Sequence, residues 1–327
     1  MSPSRLLNSQ RSLVSEIWTL LEQADTVLIG THEHPDGDAL GASLALMRAL
    51  NSLGKQVTVY IPDPAPDVFS FLPGFDQLTT VKPSRLDTFS AIALLDYTKV
   101  ERTHLASAQH HPRSISIDHH YENPRELAFN LVVPQAAATA QILYELFKSV
   151  QVPITKDIAT CLLTGIFTDS GSFMHDSTTP EILNIASDLM NRGARLSHIA
   201  HETYQKKELS SLRLWGKALS RVMVNEKNGA AVSVITYQDL RDCRATLDDL
   251  SGVVNMLNTL PQIKFAMMLC EYEPGKIKGS LRSEPHKATD VSQIAKRLGG
   301  GGHRLASGFE ISGHIVKQNN QWRVTAP

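Results

Sequence analysis

Three short apolar runs in this chain each end in acid. TVLIG (26–30) leads into THEHPDGD, SAIALL (90–95) ends at Asp96, and SISI (114–117) ends at Asp118, His119 and His120. Short apolar runs bounded by polar residues are the pattern of strands buried on both faces. Helix-like stretches separate several of these runs, with QVTVYI (56–61) as a further one. That alternation predicts an α/β fold, a doubly wound, mainly parallel sheet with helices on both faces. In open α/β sheets, ligands collect beyond the C-terminal ends of the strands, and the acids stand there. A fourth acid, Asp169 in GIFTDSGSF, follows an apolar helix-like run. Four clusters far apart in sequence are thus expected to converge on one crevice.

The intervening segments fit this plan. AAATAQILYELFKSV (136–150), TKDIATCLLTGIF (155–167) and TPEILNIASDLMNRG (179–193) read as helices, the last with a glycine stop. Near the N-terminus Leu13, Ile17, Leu20, Leu21 and Ala24 fall on one helical face. Residues 196–222 carry a helical pattern with little Gly or Pro, which suggests a connecting helix. From about residue 228 the texture changes to strand-like AAVSVITY, KFAMMLCEY and KIKGSLRS, then a helix from about Asp290. The expected organisation is a first domain over 1–195, a helical linker over 196–227 and a smaller α+β domain over 228–327.

Composition limits the partners. Lys plus Arg number 32 against 33 for Asp plus Glu, a net charge of −1. No global basic field serves long duplex nucleic acid, whereas a short anionic ligand in a local basic pocket remains compatible. Cys161, Cys243 and Cys270 are unclustered in apolar contexts and are expected to be buried thiols, not a disulfide scaffold. The N-terminal stretch lacks the apolar core of a signal peptide, and no uncharged apolar run approaches membrane-spanning length. The expectation is a cytoplasmic protein without a membrane partner.

Carboxylates gathered in a partly dry crevice repel one another, and each costs several kcal/mol or so to desolvate. A cation must compensate, or some carboxylates must take protons. Oxygen-rich ligand sets with imidazoles and no thiolate suit manganese or magnesium better than structural zinc. Enough ligands are present for two ions sharing a carboxylate, and such a pair, about 3.5–4 Å apart, clamps a phosphoryl group for in-line attack. Taken singly the motifs say less. PDGD is also a turn signal in which Asp38 serves as a helix cap, and adjacent histidines such as His110 and His111 often sit on surfaces. The order of all four carries the inference. A separate signal is Gly299 to Gly302 before His303, a costly run in entropy that suits close backbone approach to a phosphate or a base.

HEHPDGDALG, LLDYTKVER, SIDHHYEN and FTDSGSF resemble, in order, the four motifs of the DHH phosphoesterase superfamily. SLRS (280–283) and GGGGHRLASGF (299–309) resemble its DHH-associated substrate-binding domain. The resemblance spans nearly the whole chain and is greatest to the stand-alone oligoribonuclease and pAp-phosphatase type. It implies two divalent ions, most often Mn2+, with Mg2+ or Co2+ as alternatives. His32 and Asp36 would hold one, Asp38, His119 and Asp169 the other, and Asp96 would bridge them. His34 falls outside the motif. Asp118 would orient a neighbouring imidazole, His120 would face the scissile phosphate, and Arg102 would brace the crevice. In the second domain, Arg282, Ser283, Gly300, Gly301, Gly302 and His303 would hold the substrate's phosphate or terminal nucleotide while the domain lids the cleft. The implied substrates are RNA fragments of a few nucleotides, cut to mononucleotides, with pAp as a further one. Cyclic di-AMP or pApA cleavage is the alternative within the same chemistry, and a catalytically silent nucleotide sensor the alternative outside it. A homodimer is what the resemblance suggests. One departure is Met174, where many members carry Arg or another polar residue. It bears on substrate recognition, with His175 as a substitute, and leaves the metal chemistry untouched.

Overall fold

The computed structural model describes residues 6–319 and 321–326. The chain divides into two compact units, the first ending at Lys206 and the second beginning at Lys207.

The first unit is built on six strands: β1 (Thr26–Gly30), β2 (Gln56–Tyr60), β3 (Leu78–Thr79), β4 (Ala91–Leu95), β5 (Ser114–Asp118) and β6 (Phe129–Val132). Every neighbouring pair is parallel, in the order β3-β2-β1-β4-β5-β6. The four runs read as strands are strands; the two-residue β3 and the edge strand β6 were too short and polar to stand out. The order reverses between β1 and β4, so the chain leaves their C-terminal ends in opposite directions and opens a crevice there.

Helices α1 (Arg11–Gln23), α2 (Gly37–Ser52), α3 (Thr139–Ser149), α4 (Lys156–Asp169) and α5 (Pro180–Asn191) share one core with alternate strand residues, Val27, Ile29, Ala93, Leu95 and Ile117 among them. The residues between, Leu28, Ile92 and Leu94, point to the other face and pack with Tyr97, Val100 and Leu105. That face is covered by 3₁₀ turns, Val100–Thr103 and Ala106–His110, where α-helices were expected. The Thr103 hydroxyl turns back onto the Val100 carbonyl, and left-handed His104 (φ 55°) stops the first turn from extending. In α1 the buried stripe is Val14, Ile17, Trp18 and Leu21, with Leu13 and Leu20 at its edge. Trp18 draws the stripe round by meeting Phe147 edge-on, ring centroids 6.1 Å apart.

Glycine lets α2 and α4 approach closely. A Cβ on Gly41 would lie 2.4 Å from the Cys161 carbonyl, and one on Gly165 would lie 2.6 Å from Asp38 Oδ1. A Cβ on Gly37 would meet Thr168 in the same way, at 2.4 Å. The helices therefore run antiparallel, and the start of α2 lies against the end of α4. The span read as one connecting helix is α6 (Leu196–Ala200), a π-helical turn (His201–Gln205) and α7 (Leu209–Ser220), parted where the backbone turns extended at Lys206 and Glu208.

The second unit is a mixed sheet of β7 (Met223–Asn225), β8 (Ala230–Ile235), β9 (Phe265–Glu273), β10 (Lys276–Arg282), β11 (Gly301–Gly302) and β12 (Ala306–Ser312), ordered β11-β12-β10-β9-β8-β7. Only β8 and β9 are parallel. Residues of α7, α8 (Tyr237–Cys243) and α9 (Val253–Asn258) fill the core on one face. On the other lie α10 (Val291–Arg297) and the hairpin of β13 (His314–Gln318) and β14 (Gln321–Thr325). Glu271 pins that hairpin by accepting from His314 Nδ1 (2.8 Å) and the Ile315 amide (3.0 Å). The three cysteines are free and buried. Among the described residues no helix is long and apolar enough to cross a membrane.

Candidate metal centre

Asp36 and Asp38 take different parts at the start of α2. Asp36 is the N-cap, its Oδ1 accepting from the amides of Asp38 (3.0 Å) and Ala39 (3.1 Å), so the capping role belongs to Asp36 and not to Asp38. Asp38, in the first turn, is buried, and its two oxygens accept from the Thr139 (2.6 Å) and Ala140 (2.9 Å) amides at the start of α3. A helix N-terminus is a favourable place for a carboxylate. Both acids are thus fixed by backbone.

Asp96, directly after β4, is buried with φ 54°. This left-handed conformation is uncommon outside glycine and easiest for Asp and Asn. Thr139 Oγ1 donates to its Oδ1 at 3.1 Å. Three imidazoles approach the carboxylate: His32 Nε2 at 3.7 Å, His119 Nε2 at 3.6 Å and His120 Nδ1 at 3.6 Å. His119 Nε2 is also 3.4 Å from Asp169 Oδ2 at the end of α4. These separations exceed a hydrogen bond, as expected of groups that converge on common points. The ligand atoms of His32, Asp36 and Asp96 lie within 4.8 Å of one another, and so do those of Asp38, His119 and Asp169. His32 and His119 have their Nδ1 atoms on backbone carbonyls, of Glu33 (2.6 Å) and Ala136 (3.3 Å), which turns Nε2 to the crevice in each. An oxygen-rich set with two such imidazoles and no thiolate fits a hard divalent cation.

His120 stands apart. Its Nδ1 is 2.8 Å from Asp118 Oδ1, which also accepts from the His120 amide at 3.1 Å. Asp118 is fully buried, and its Oδ2 accepts from Asn123 Nδ2 at 2.7 Å. Asn123 in turn donates to the Tyr97 carbonyl and the Ser116 hydroxyl. A third group within 4.8 Å, Asp96, His119 and His120, also has ligand spacing. His32 and His119 face Asp96 with Nε2, whereas the His120 nitrogen that faces it is Nδ1, already held by Asp118, so His120 is better suited to hold a proton there than to bind an ion.

The electrostatics record the crowding. Desolvation and the Asp96 charge raise the Asp36 carboxyl, and raise Asp38 strongly with Asp169 adding to the effect. Asp169 is pushed up to about 7, first by desolvation and then by Asp96 and Asp36, against the pull of His119. Burial would raise Asp96 too, but His32, His119 and His120 outweigh it and hold it at about 2. Burial would lower His120, yet its Asp118 bond and the nearby carboxylates bring it to about 9; Asp96 and Asp36 raise His32 in the same way.

Apart from Asp96, which is lowered and whose effect is confined to the acid side of about pH 4, these shifts share one sign. The folded, metal-stripped chain keeps a proton on Asp169 up to about pH 7 that an unfolded Asp has lost near pH 4, and Asp36 and Asp38, raised in the same direction, also hold theirs above the ordinary carboxylate range. Between about pH 6.5 and 9 it keeps a proton on His120, and His32, raised in the same direction, also holds its proton above the ordinary imidazole range. A folded state that binds more protons loses stability as pH rises. Thermal melts in chelator should therefore fall steadily from about pH 4.5 to about pH 9, and manganese should reverse the trend because it displaces those protons. A melting temperature of the stripped protein that rises over this range would contradict the crowding.

His34 is exposed, in the left-handed region, with its amide on Asp63 at 2.8 Å, and belongs to none of the clusters. Arg102 Nε donates to Glu33 Oε1 (3.2 Å), and its carbonyl accepts from the Glu33 amide (2.8 Å), tying the β1 loop to the 3₁₀ turn after β4. His111 is half-buried, with Nε2 3.1 Å from the Phe89 carbonyl and Nδ1 accepting from the Arg113 amide, so it is structural and not a surface residue. Met174 is 80% exposed, and His175 Nδ1 is 3.2 Å from the Asp169 carbonyl. Sequence reading passed over Thr139, Asn123 and Gly165, which fix Asp96, Asp38 and Asp118. The Gly37/Gly41 spacing on α2 is a signal from which the close helix contact could have been read, and it went unread.

In the second unit Arg282 ends β10, half-buried, with Nη1 donating to the Leu281 carbonyl at 2.9 Å. Desolvation lowers its pKa, and among the described residues no carboxylate pairs with it. The buried Ser283 hydroxyl donates to the Lys264 carbonyl at 2.8 Å. His303 is exposed, its backbone exchanging hydrogen bonds with Ala306. The glycines have separate causes. Gly299 (φ 78°) ends α10, with its amide on the Lys296 carbonyl and the Gly300 amide on that of Ala295, a Schellman closure. A Cβ on Gly300 would lie 2.1 Å from the Gly308 carbonyl, and Gly302 is at φ 131°. The fold requires these three, whereas Gly301 has open space around its Cβ position. Gly300→Ala should then cost about 1–3 kcal/mol by overpacking, and Gly301→Ala should leave the melting temperature nearly unchanged. Equal losses in the two variants would contradict this division.

Fold and crevice together define an α/β protein able to hold divalent cations where its sheet reverses order. The family model described as "DHH family, N-terminal domain" matches residues 26–166, and that of the DHHA1 domain matches residues 224–321. The chain is 34% identical over 306 residues to the bifunctional oligoribonuclease and PAP phosphatase NrnA of Thermus thermophilus, covering 94% of this chain and 90% of the relative. It is 25% identical to the Bacillus subtilis protein of the same name, covering 91% and 93%. Among solved structures, an exopolyphosphatase-related protein from Bacteroides fragilis superposes with a TM-score of 0.85 at 29% identity, over 93% of this chain and 92% of that one. The chain belongs to the DHH phosphoesterase family.

Proposed function

We propose that the chain hydrolyses short oligoribonucleotides to mononucleotides, and pAp to AMP, using two divalent ions, with manganese preferred over magnesium or cobalt. The observation that carries this reading is the pair of ligand groups, His32/Asp36/Asp96 and Asp38/His119/Asp169, in one crevice. The named activities of the Thermus and Bacillus relatives support the substrate class. His32 and Asp36 would hold one ion, Asp38, His119 and Asp169 the other, and Asp96 would be shared. When bound, the ions supply Lewis-acid charge for the phosphoryl oxygens and lower the pKa of water.

The remaining work falls to side chains. Asp118 fixes the His120 ring through Nδ1, so His120 Nε2 can present a proton to the phosphate and its leaving oxygen. In the second unit Arg282, desolvated and, among the described residues, without a carboxylate partner, suits a phosphate because its planar fork binds two oxygens at once. His303 and the open backbone at Gly301 join it in holding a terminal nucleotide. Ser283 takes part through its position, since its hydroxyl is committed to Lys264. The near-zero net charge agrees with short substrates. A cytoplasmic site of action and a homodimer belong to the same reading, the latter tested by sedimentation.

A manganese-supplemented panel of pAp, pApA, cyclic di-AMP, RNA from dinucleotides to about 24-mers, and pyrophosphate tests the proposal. Preference for the shortest RNA and for pAp is expected. Preference for pyrophosphate or cyclic di-AMP by orders of magnitude would overturn it, and tight binding with no turnover would favour a nucleotide sensor.

A further inference from the structure

Asp96 has a fixed backbone but a soft side chain. Its φ of 54° sets where the carboxylate starts, whereas rotation about the last bond of an aspartate is broad and only roughly two-fold. Among the described residues the hydrogen bond that holds this rotation comes from Thr139 Oγ1, 3.1 Å from Oδ1. The imidazoles stand farther off. His119 Nε2 and His120 Nδ1 are each 3.6 Å from the same Oδ1, and His32 Nε2 is 3.7 Å from Oδ2. The Thr139 bond therefore keeps Oδ1 turned to the His119 side of the crevice and Oδ2 to the His32 side.

Thr139 does this from an unusual place. Threonine at a helix start favours the N-cap, where its oxygen accepts from the helix's own amides. In α3 the N-cap is Ala138, whose methyl cannot cap. Asp38 caps the helix from outside instead, accepting from the Thr139 and Ala140 amides at 2.6 and 2.9 Å. With that task taken, the Thr139 hydroxyl is left to donate to Asp96. Thr139 is fully buried, and its β-branched side chain is stiff at χ1. One rigid residue thus holds Asp38 of one ligand group through its amide and Asp96 of the other through its hydroxyl. We propose that Thr139 is a positioning residue whose hydroxyl sets the rotation of Asp96, and with it which Asp96 oxygen each ligand group receives.

The proposal rests on the two-ion phosphoesterase reading, and its test separates the two. Calorimetric titration of the full chain with manganese needs no substrate, while hydrolysis of an RNA dinucleotide at saturating manganese reads the activity. Thr139→Val keeps the shape, the branch and the backbone amide and removes only the hydroxyl, whereas Thr139→Ser keeps the hydroxyl. In Thr139→Val manganese affinity is expected to fall about ten- to hundredfold, the usual effect of losing the partner of a metal ligand. At saturating manganese its kcat should stay about tenfold down with KM nearly unchanged, since the hydroxyl orients Asp96 and touches no substrate. Thr139→Ser should recover both readouts to within about threefold of wild type. Manganese affinity and kcat both within twofold of wild type in Thr139→Val would overturn the proposal. So would a Thr139→Ser variant as impaired as Thr139→Val, which would assign the effect to packing of the methyl group. An inert wild type whose manganese affinity still depends on the hydroxyl would retire the oligoribonuclease reading and leave the role of Thr139 standing.

Discussion

Asp96→Asn is expected to lower manganese-dependent turnover at least about a thousandfold while the chain stays folded. Among the described residues Asp96 is the one carboxylate within 3.7 Å of His32 and 3.6 Å of both His119 and His120, so its charge reaches members of both ligand groups. Asn is the informative replacement. It tolerates the left-handed backbone at φ 54°, and its amide oxygen can still accept from Thr139 Oγ1. What disappears is one negative charge and, on the proposed reading, a ligand common to two sites. A thousandfold corresponds to about 4 kcal/mol of transition-state stabilisation, a modest demand on a residue proposed to be shared by two ions. Bound metal should fall with activity, and the far-UV spectrum should not change. Turnover within tenfold of wild type would show that the shared ligand lies elsewhere.

Gly165→Ala should inactivate the protein from a position that touches neither substrate nor ion. Inside a helix, alanine is normally favoured over glycine by about 1 kcal/mol. Here the new methyl would lie 2.6 Å from Asp38 Oδ1 and 2.7 Å from the Ala140 Cβ. Asp38 cannot swing aside without breaking its bonds to the Thr139 and Ala140 amides. Overpacking of this kind costs about 1–3 kcal/mol, and a ligand displaced by an ångström can cost about a hundredfold in rate. Gly216 in α7 is the control, since its Cβ position meets nothing within 4 Å. Gly216→Ala should raise stability by about 0.5–1 kcal/mol and leave activity alone. A stabilised, fully active Gly165→Ala would mean that the close contact of α2 and α4 does not set the geometry of Asp38.

The sequence carried what depends on local pattern. Buried strands announce themselves by continuous apolar runs, so β1, β2, β4 and β5 were legible, and with them the acids at their C-terminal ends. What it could not carry depends on partners distant in the chain. Thr139 looks like any residue in AAATAQ until α3 is seen to aim its amides at Asp38, a hundred or so positions earlier. Asn123 shows its role only beside the buried Asp118. The glycine run shows the opposite failing. Four adjacent glycines suggested one ligand-binding cause, whereas Gly299, Gly300 and Gly302 answer to a helix end, a close strand and a positive φ. Likewise PDGD correctly signalled a cap, but the cap was expected of Asp38 and the backbone geometry assigns it to Asp36.

The most direct test of the account is a manganese titration of the full chain, with bound metal and RNA dinucleotide turnover followed together. The account predicts two ions per chain at saturation and turnover that follows occupancy of the second, both lost in Asp96→Asn. Full turnover with a single bound ion, or two ions retained in Asp96→Asn, would contradict it.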